Sequence, residues 1–139
     1  MDVIAFYPCE AIIQRWAGGL DVLNLGIRGG VTIAPGPLGY HWTCMVLIWL
    51  RFGPDDAQAP VIQVELVDAD VQFRHVPPGT VATLGPGPER ELIVGMPLAV
   101  ALPHPGEYEL LLRVNQRVER RYPVRITFQP AMGSANAPE

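Results

Sequence analysis

Hydrophobic and polar positions alternate with a period of two along most of this chain, and the alternation is clearest between Pro105 and Phe128. Tyr108, Leu110, Leu112 and Val114 share one parity, with Glu107, Glu109, Leu111 and Arg113 on the other, so one strand face meets a core and the other meets water. Only Leu111 breaks the pattern. A turn at Asn115-Gln116 leads to a return strand with Val118, Tyr122, Val124, Ile126 and Phe128 on one side and Glu119, Arg121 and Arg125 on the other. Pro123 cannot donate a ladder hydrogen bond, which predicts that this last strand lies at a sheet edge or bulges there.

The same reading gives the rest of the chain. Val3 to Arg15 is an opening strand broken or kinked near Pro8, residues 16 to 19 turn, and Leu20 to Ile27 is a second strand. Gly29 to Gly39, with Pro35 and Pro37, reads as a loop. His41 to Phe52 is the strongest strand: Trp42, Cys44, Val46, Ile48, Leu50 and Phe52 are all apolar, and so are Met45, Leu47 and Trp49 on the opposite face. Val61 to Asp68 places Ile62, Val64 and Leu66 inward and Gln63 and Glu65 outward, and Val71 to His75 pairs with it across Asp68-Ala69-Asp70. Thr80 to Leu84 is a short strand, and Leu92 to Leu102 a longer one interrupted at Pro97.

Eight or nine strands with frequent turn signals predict an all-β chain, a single antiparallel β-sandwich of immunoglobulin-like character. Tyr108, at the start of a late strand after Pro105-Gly106, stands where such folds place a tyrosine whose hydroxyl bonds back across the loop. Composition agrees: 49% of the 139 residues are apolar, and 15 Pro with 14 Gly suit short strands better than long helices. Residues 1–129 form one domain, and 130–139 a polar tail with no apolar pattern, expected to be disordered. The longest apolar run, Cys44 to Leu50, has seven residues, against the ~20 that a membrane helix needs. Asp2 and Glu10 flank the only stretch that could serve as a leader, so a cytoplasmic location is expected, without membrane insertion.

Three segments carry a resemblance. The opening strand followed by GLDVLNLG (19–26), the central IQVELVDAD (62–70) and the late LPHPGEYELLLRV (102–114) are similar to a family of small uncharacterised bacterial domains, over roughly residues 4 to 128. The resemblance implies a stand-alone β-sandwich and carries no activity, cofactor or active site. The chain departs from the family pattern at two turns, where Asp70-Val71 replaces Asp-Gly and Gln116 replaces a turn glycine.

Chemistry enters mostly as exclusion. All ten basic residues are Arg, which removes lysine-based mechanisms, and the only serine, Ser134, lies in the tail. Cys9 and Cys44 read as reduced core thiols. Those two thiols and three scattered histidines (His41, His75, His104) offer no zinc-ligand spacing, and no cofactor is expected. Cys44 and His41, three apart on a strand, fall on opposite faces and cannot act as thiol and base. Arg113, Arg117, Arg120, Arg121 and Arg125 could bind an anionic partner, but pairing with Glu107, Glu109 and Glu119 explains them as well, and a pI near 5.3 argues against nucleic acid. Asp68 and Asp70, with Asp55-Asp56, could hold a hard cation, yet aspartates also belong in tight turns.

One feature points to a partner. With the even face of His41–Phe52 in the core, Met45, Leu47 and Trp49 form an apolar stripe on the outside, the mark of an interface, unless a loop or the N-terminal segment covers it. The expected function is a non-enzymatic cytoplasmic binding or assembly module, a homodimer or a partner of another cytoplasmic protein. The alternative is a small-ligand or carbohydrate binder with an aromatic platform near Trp16, Tyr40 and Trp42. An enzyme would need Glu10, Asp21, Asp68 and Asp70 drawn together from distant loops.

Overall fold

A computed structural model describes residues 1–14, 19–23, 25, 30–56, 59–82, 84 and 90–130. Eleven strands run along the described chain: β1 (Asp2–Cys9), β2 (Ala11–Gln14), β3 (Leu20–Leu23), β4 (Val31–Ile33), β5 (His41–Phe52), β6 (Val61–Asp68), β7 (Arg74–His75), β8 (Thr80–Val81), β9 (Arg90–Ala101), β10 (Gly106–Val114) and β11 (Arg117–Phe128). There is no helix among the described residues, and so none long and apolar enough to cross a membrane. A three-stranded sheet has the order β1-β5-β9, and a larger sheet runs β4-β11-β10-β6-β7, with β8 also on β6. β2 and β3 form a separate two-stranded ribbon. The sheets do not close into a barrel.

One apolar core draws on both larger sheets. β5 contributes its whole even face, Trp42 to Phe52, and β9 adds Met96, Leu98 and Val100. The larger sheet answers with Ile62, Val64 and Leu66, with Tyr108, Leu110 and Leu112, and with Val124 and Ile126. At ~25 cal/mol per Å² of apolar surface, burial on this scale is the main term favouring the folded chain.

The predicted hairpin is present with the turn where it was expected. Asn115 and Gln116 both have positive φ (50° and 71°), the backbone that a two-residue hairpin turn requires and that glycine usually supplies. A bulge between Leu112 and Arg113 absorbs one residue of β11, and β4 covers only Ile126–Phe128, which leaves Pro123 on an open edge.

Several expectations need correction. The sheets are not purely antiparallel, because β4 pairs with β11 in parallel (Val31 with Ile126, Ile33 with Phe128). β4 lies inside the segment expected to be a loop: three residues between glycines and prolines are too few to show a period. Gly30 makes the approach possible, since a Cβ there would lie 2.5 Å from the Arg125 carbonyl oxygen. The opening strand breaks at Glu10, not Pro8. Pro8 stays paired opposite Val46, and Pro97 likewise leaves β9 unbroken, because β1 and β9 are the two edges of their sheet and a missing N–H can face outward. Residues 16–18 of the expected turn, 24, 26 and 27 of the second strand, and the tail from 131 lie outside the described residues.

Glu65 points outward as expected yet is only 1% exposed. Arg113 Nε donates to its carboxylate at 2.9 Å, and Arg74 donates from the other side. Burial opposes the charge of Glu65, but the two guanidiniums outweigh it and hold the carboxyl below its ordinary range.

Candidate functional site

The strand registers of the small sheet define its outer face residue by residue. Ala5, Trp49 and Ile93 stand in one row, Tyr7, Leu47 and Gly95 in the next, and Cys9, Met45 and Pro97 in the third. All nine positions are nonpolar apart from one phenol and one thiol. The row beyond them is Asp2, Arg51 and Glu91, where Arg51 Nη2 lies 2.8 Å from Glu91 Oε1. A nonpolar field with a charged border is the anatomy of a protein interface.

This face is open only in part. Leu47 is 8% exposed, Met45 and Trp49 are half-buried, and Tyr7 and Ile93 stand out at 38% and 46%. The β2–β3 ribbon leans on one end of it: Ile12 packs on Gly95 beside the Met45 methyl group, so closely that a Cβ on Gly95 would come within 2.8 Å of Ile12 Cδ1. The predicted stripe is therefore partly covered by the N-terminal segment, and its open portion centres on Tyr7, Trp49 and Ile93. The sequence shows the parity of Ile93 in β9 but not its place in this field, because periodicity does not say which strands are neighbours.

The other candidates resolve into structure. In the turn after β6, Asp68 Oδ1 accepts the N–H groups of Gln72 (2.8 Å) and Phe73 (3.1 Å), and Oδ2 lies 3.0 Å from His104 Nε2. Burial works against the Asp68 charge, but these donors prevail and keep its carboxyl below the usual range. The other His104 ring nitrogen lies 2.9 Å from the Pro105 carbonyl, so both nitrogens face acceptors, which only the imidazolium satisfies. Its pKa is accordingly raised, first by Pro105 and then by Asp68. Beside it the buried Tyr108 hydroxyl donates to the His104 carbonyl at 2.6 Å, the backward bond expected at this position. The aspartates thus serve a turn, and among the described residues no group of three or more His, Cys, Asp or Glu is placed to hold a metal.

Arg125 pairs with Glu107 at 2.6 Å, Arg121 lies 3.6 Å from Glu109, Arg113 turns to Glu65, and Arg120 donates to the Val3 carbonyl at 3.3 Å. These arginines knit strands together and do not form a single basic patch. Cys9 and Cys44 are buried free thiols, and burial pushes Cys44 up to about 12, with Cys9 adding to the effect. Trp42 is 4% exposed in the core, and Tyr40 stacks on Phe128 with ring centroids 3.9 Å apart and donates to the Gln129 carbonyl. Trp16 lies outside the described residues. Asp68 and Asp70 share one turn, Asp21 pairs opposite Ile13 in the ribbon, and Glu10 lines a cleft beside the start of β5.

That cleft, about 480 Å³, is bounded by Glu10, by Gly30 to Ala34 and by His41 to Cys44. Compared with known proteins, the chain matches no family model and no curated sequence.

Proposed function

We propose that the chain is a non-enzymatic binding and assembly module, an immunoglobulin-like two-sheet sandwich that forms a homodimer through the outer face of its small sheet. The observation that carries this reading is the nonpolar field of three rows by three, bordered by Asp2, Arg51 and Glu91. Tyr7 and Ile93 are its exposed part, Trp49 and Met45 lie half-buried in the same face, and Leu47 is buried between them. A twofold axis through this field would set the same residues against each other, apolar centre on apolar centre, with the charged row at the rim. The sandwich reading is supported by one core fed from both sheets and by the Tyr108 bond to the loop before β10. A cytoplasmic setting agrees with two buried thiols in reduced form. The carbohydrate reading finds less support, since Trp42 is enclosed and one face of Tyr40 is already stacked.

Sedimentation velocity over a concentration series tests the proposal. The wild-type chain is expected to dimerise with a dissociation constant on the order of 1–100 μM. Ile93→Arg places a charge on an exposed side chain within the contact of each copy, and is expected to weaken association by about 30-fold or more, with an unchanged near-UV spectrum. A wild-type chain that stays monomeric at millimolar concentration, or an Ile93→Arg variant that dimerises as before, overturns it.

A further inference from the structure

The cleft beside the start of β5 is lined by consecutive residues of both parities, Val31 to Ala34 on one side and His41 to Cys44 on the other. A hollow over a sheet face would be lined by alternate residues, so this one runs along strand edges. Both edges are open among the described residues. β4 has β11 on one side only, and β5 loses β1 after the Cys9–Met45 pair, where the chain turns so that Glu10 N–H bonds to the Leu23 carbonyl.

The ladders fix which main-chain groups point into the cleft. Gln129 N–H donates to the Ile33 carbonyl, so Ile33 faces β11 and its neighbour Thr32 turns its N–H and C=O the other way. Leu102 N–H donates to the Tyr40 carbonyl, so Tyr40, Trp42 and Cys44 face β9, while His41 and Thr43 turn away from it. The Cys9 thiol reaching the Met45 carbonyl at 3.4 Å confirms that the odd positions of β5 face the β1 side. Thr32, His41 and Thr43 therefore bring to the cleft walls peptide donors and acceptors that have no strand partner among the described residues. Four residues on each wall span roughly 13 Å at ~3.3 Å per residue.

We propose that this cleft takes up an extended, basic segment of another polypeptide, which adds to the open edges of β4 and β5 through main-chain hydrogen bonds. The peptide groups supply affinity for any extended chain, and Glu10, the one acidic residue lining the cleft among the described residues, favours a segment carrying Lys or Arg. This site is separate from the outer face of the small sheet, and neither reading depends on the other.

The test uses the isotopically labelled full chain and a synthetic peptide, acetyl-Thr-Val-Lys-Val-Thr-Val-amide. In the free protein the amides of Thr32, His41 and Thr43 exchange at least tenfold faster than those of Ile33, Trp42 and Cys44. Adding the peptide shifts and protects the first three. A peptide with alternate amides N-methylated keeps its side chains but loses at least tenfold in affinity, as does one with Glu in place of Lys. Thr32→Pro, which removes a cleft-facing N–H without touching the β11 ladder, weakens binding similarly, and should that variant fail to fold, the N-methylated peptide on the wild-type chain decides. Equal binding of the N-methylated peptide, shifts confined to other residues, or protection of Thr32 and Thr43 that grows with protein concentration alone, meaning that a second copy fills the cleft, each overturns the proposal. Ile93→Arg is expected to bind the peptide as the wild type does.

Discussion

Tyr108 shows how much one side chain can organise. Its ring is fully buried against Phe73, at a centroid distance of 6.1 Å and nearly perpendicular, while its hydroxyl closes the loop between β9 and β10 by donating to the His104 carbonyl. Tyr108→Phe keeps the ring and removes only the oxygen, which leaves that carbonyl without its donor. A loss of about 1–2 kcal/mol is expected from urea unfolding, with an unchanged m-value. A loss under ~0.3 kcal/mol would mean that water replaces the hydroxyl and the corner is not under tension. Both Tyr108 and its backward bond were legible in the sequence. The partner of Asp68 was not, because His104 lies 36 residues away and only the fold brings the imidazole to the carboxylate.

At the level of strands, the periodicity of β5, β6, β10 and β11 announced which residues face the core, and these strands obey it except at Val118, which the bulge in β11 sets opposite Arg113 on the outer face. Adjacency was another matter. Nothing in three residues between glycines says that β4 will lie parallel to β11, and nothing in Ile12 says that its ribbon will rest on Gly95. The candidate interface was half legible for the same reason: Met45, Leu47 and Trp49 lie on one strand, while Tyr7 and Ile93 come from its neighbours. The ribbon contact makes its own prediction. Gly95→Val thrusts two methyl groups toward Ile12 Cδ1 and the Met45 methyl, both flexible side-chain ends, so the ribbon yields before the sheet does. Global stability is expected to change by less than about 1.5 kcal/mol, while amide exchange at Ala11 to Ile13 quickens at least tenfold relative to β5. Unchanged exchange there would show that the ribbon is held by something other than this contact.

The whole molecule registers the Asp68–His104 pair through pH. His104 has a raised pKa, so its contribution to stability is fully present below the ordinary imidazole value of about 6.5 and is lost as pH rises through the raised value. Asp68 has a lowered pKa, so its contribution is present above the ordinary value of about 3.9 and is lost as pH falls through the lowered one. Asp70 also favours the imidazolium, and Tyr108 stacks beside the ring. The urea midpoint is therefore expected to peak between about pH 4 and 6.5 and to decline toward pH 8. In His104→Gln the alkaline decline flattens. The acid limb persists, because the lowered pKa values of Glu65 and Asp56 also feed it. An alkaline decline of the same size in the variant would assign it to other groups.

Glu65 carries a consequence of a different kind. Its carboxylate sits on the outer face of β6, directly opposite Leu111 of β10, with an arginine from each flanking strand, Arg74 of β7 and Arg113 of β10. Sliding β6 by one residue would turn every side chain to the other face, sending Glu65 into the apolar core and Leu66 out to the arginines. A misaligned sheet of otherwise similar hydrophobic content is thereby penalised far more than its lost contacts alone would require. The three charges act as a key that admits one alignment of β10, β6 and β7, and a chain with leucine at all three positions would hold together while losing its means of telling the right pairing from the wrong one.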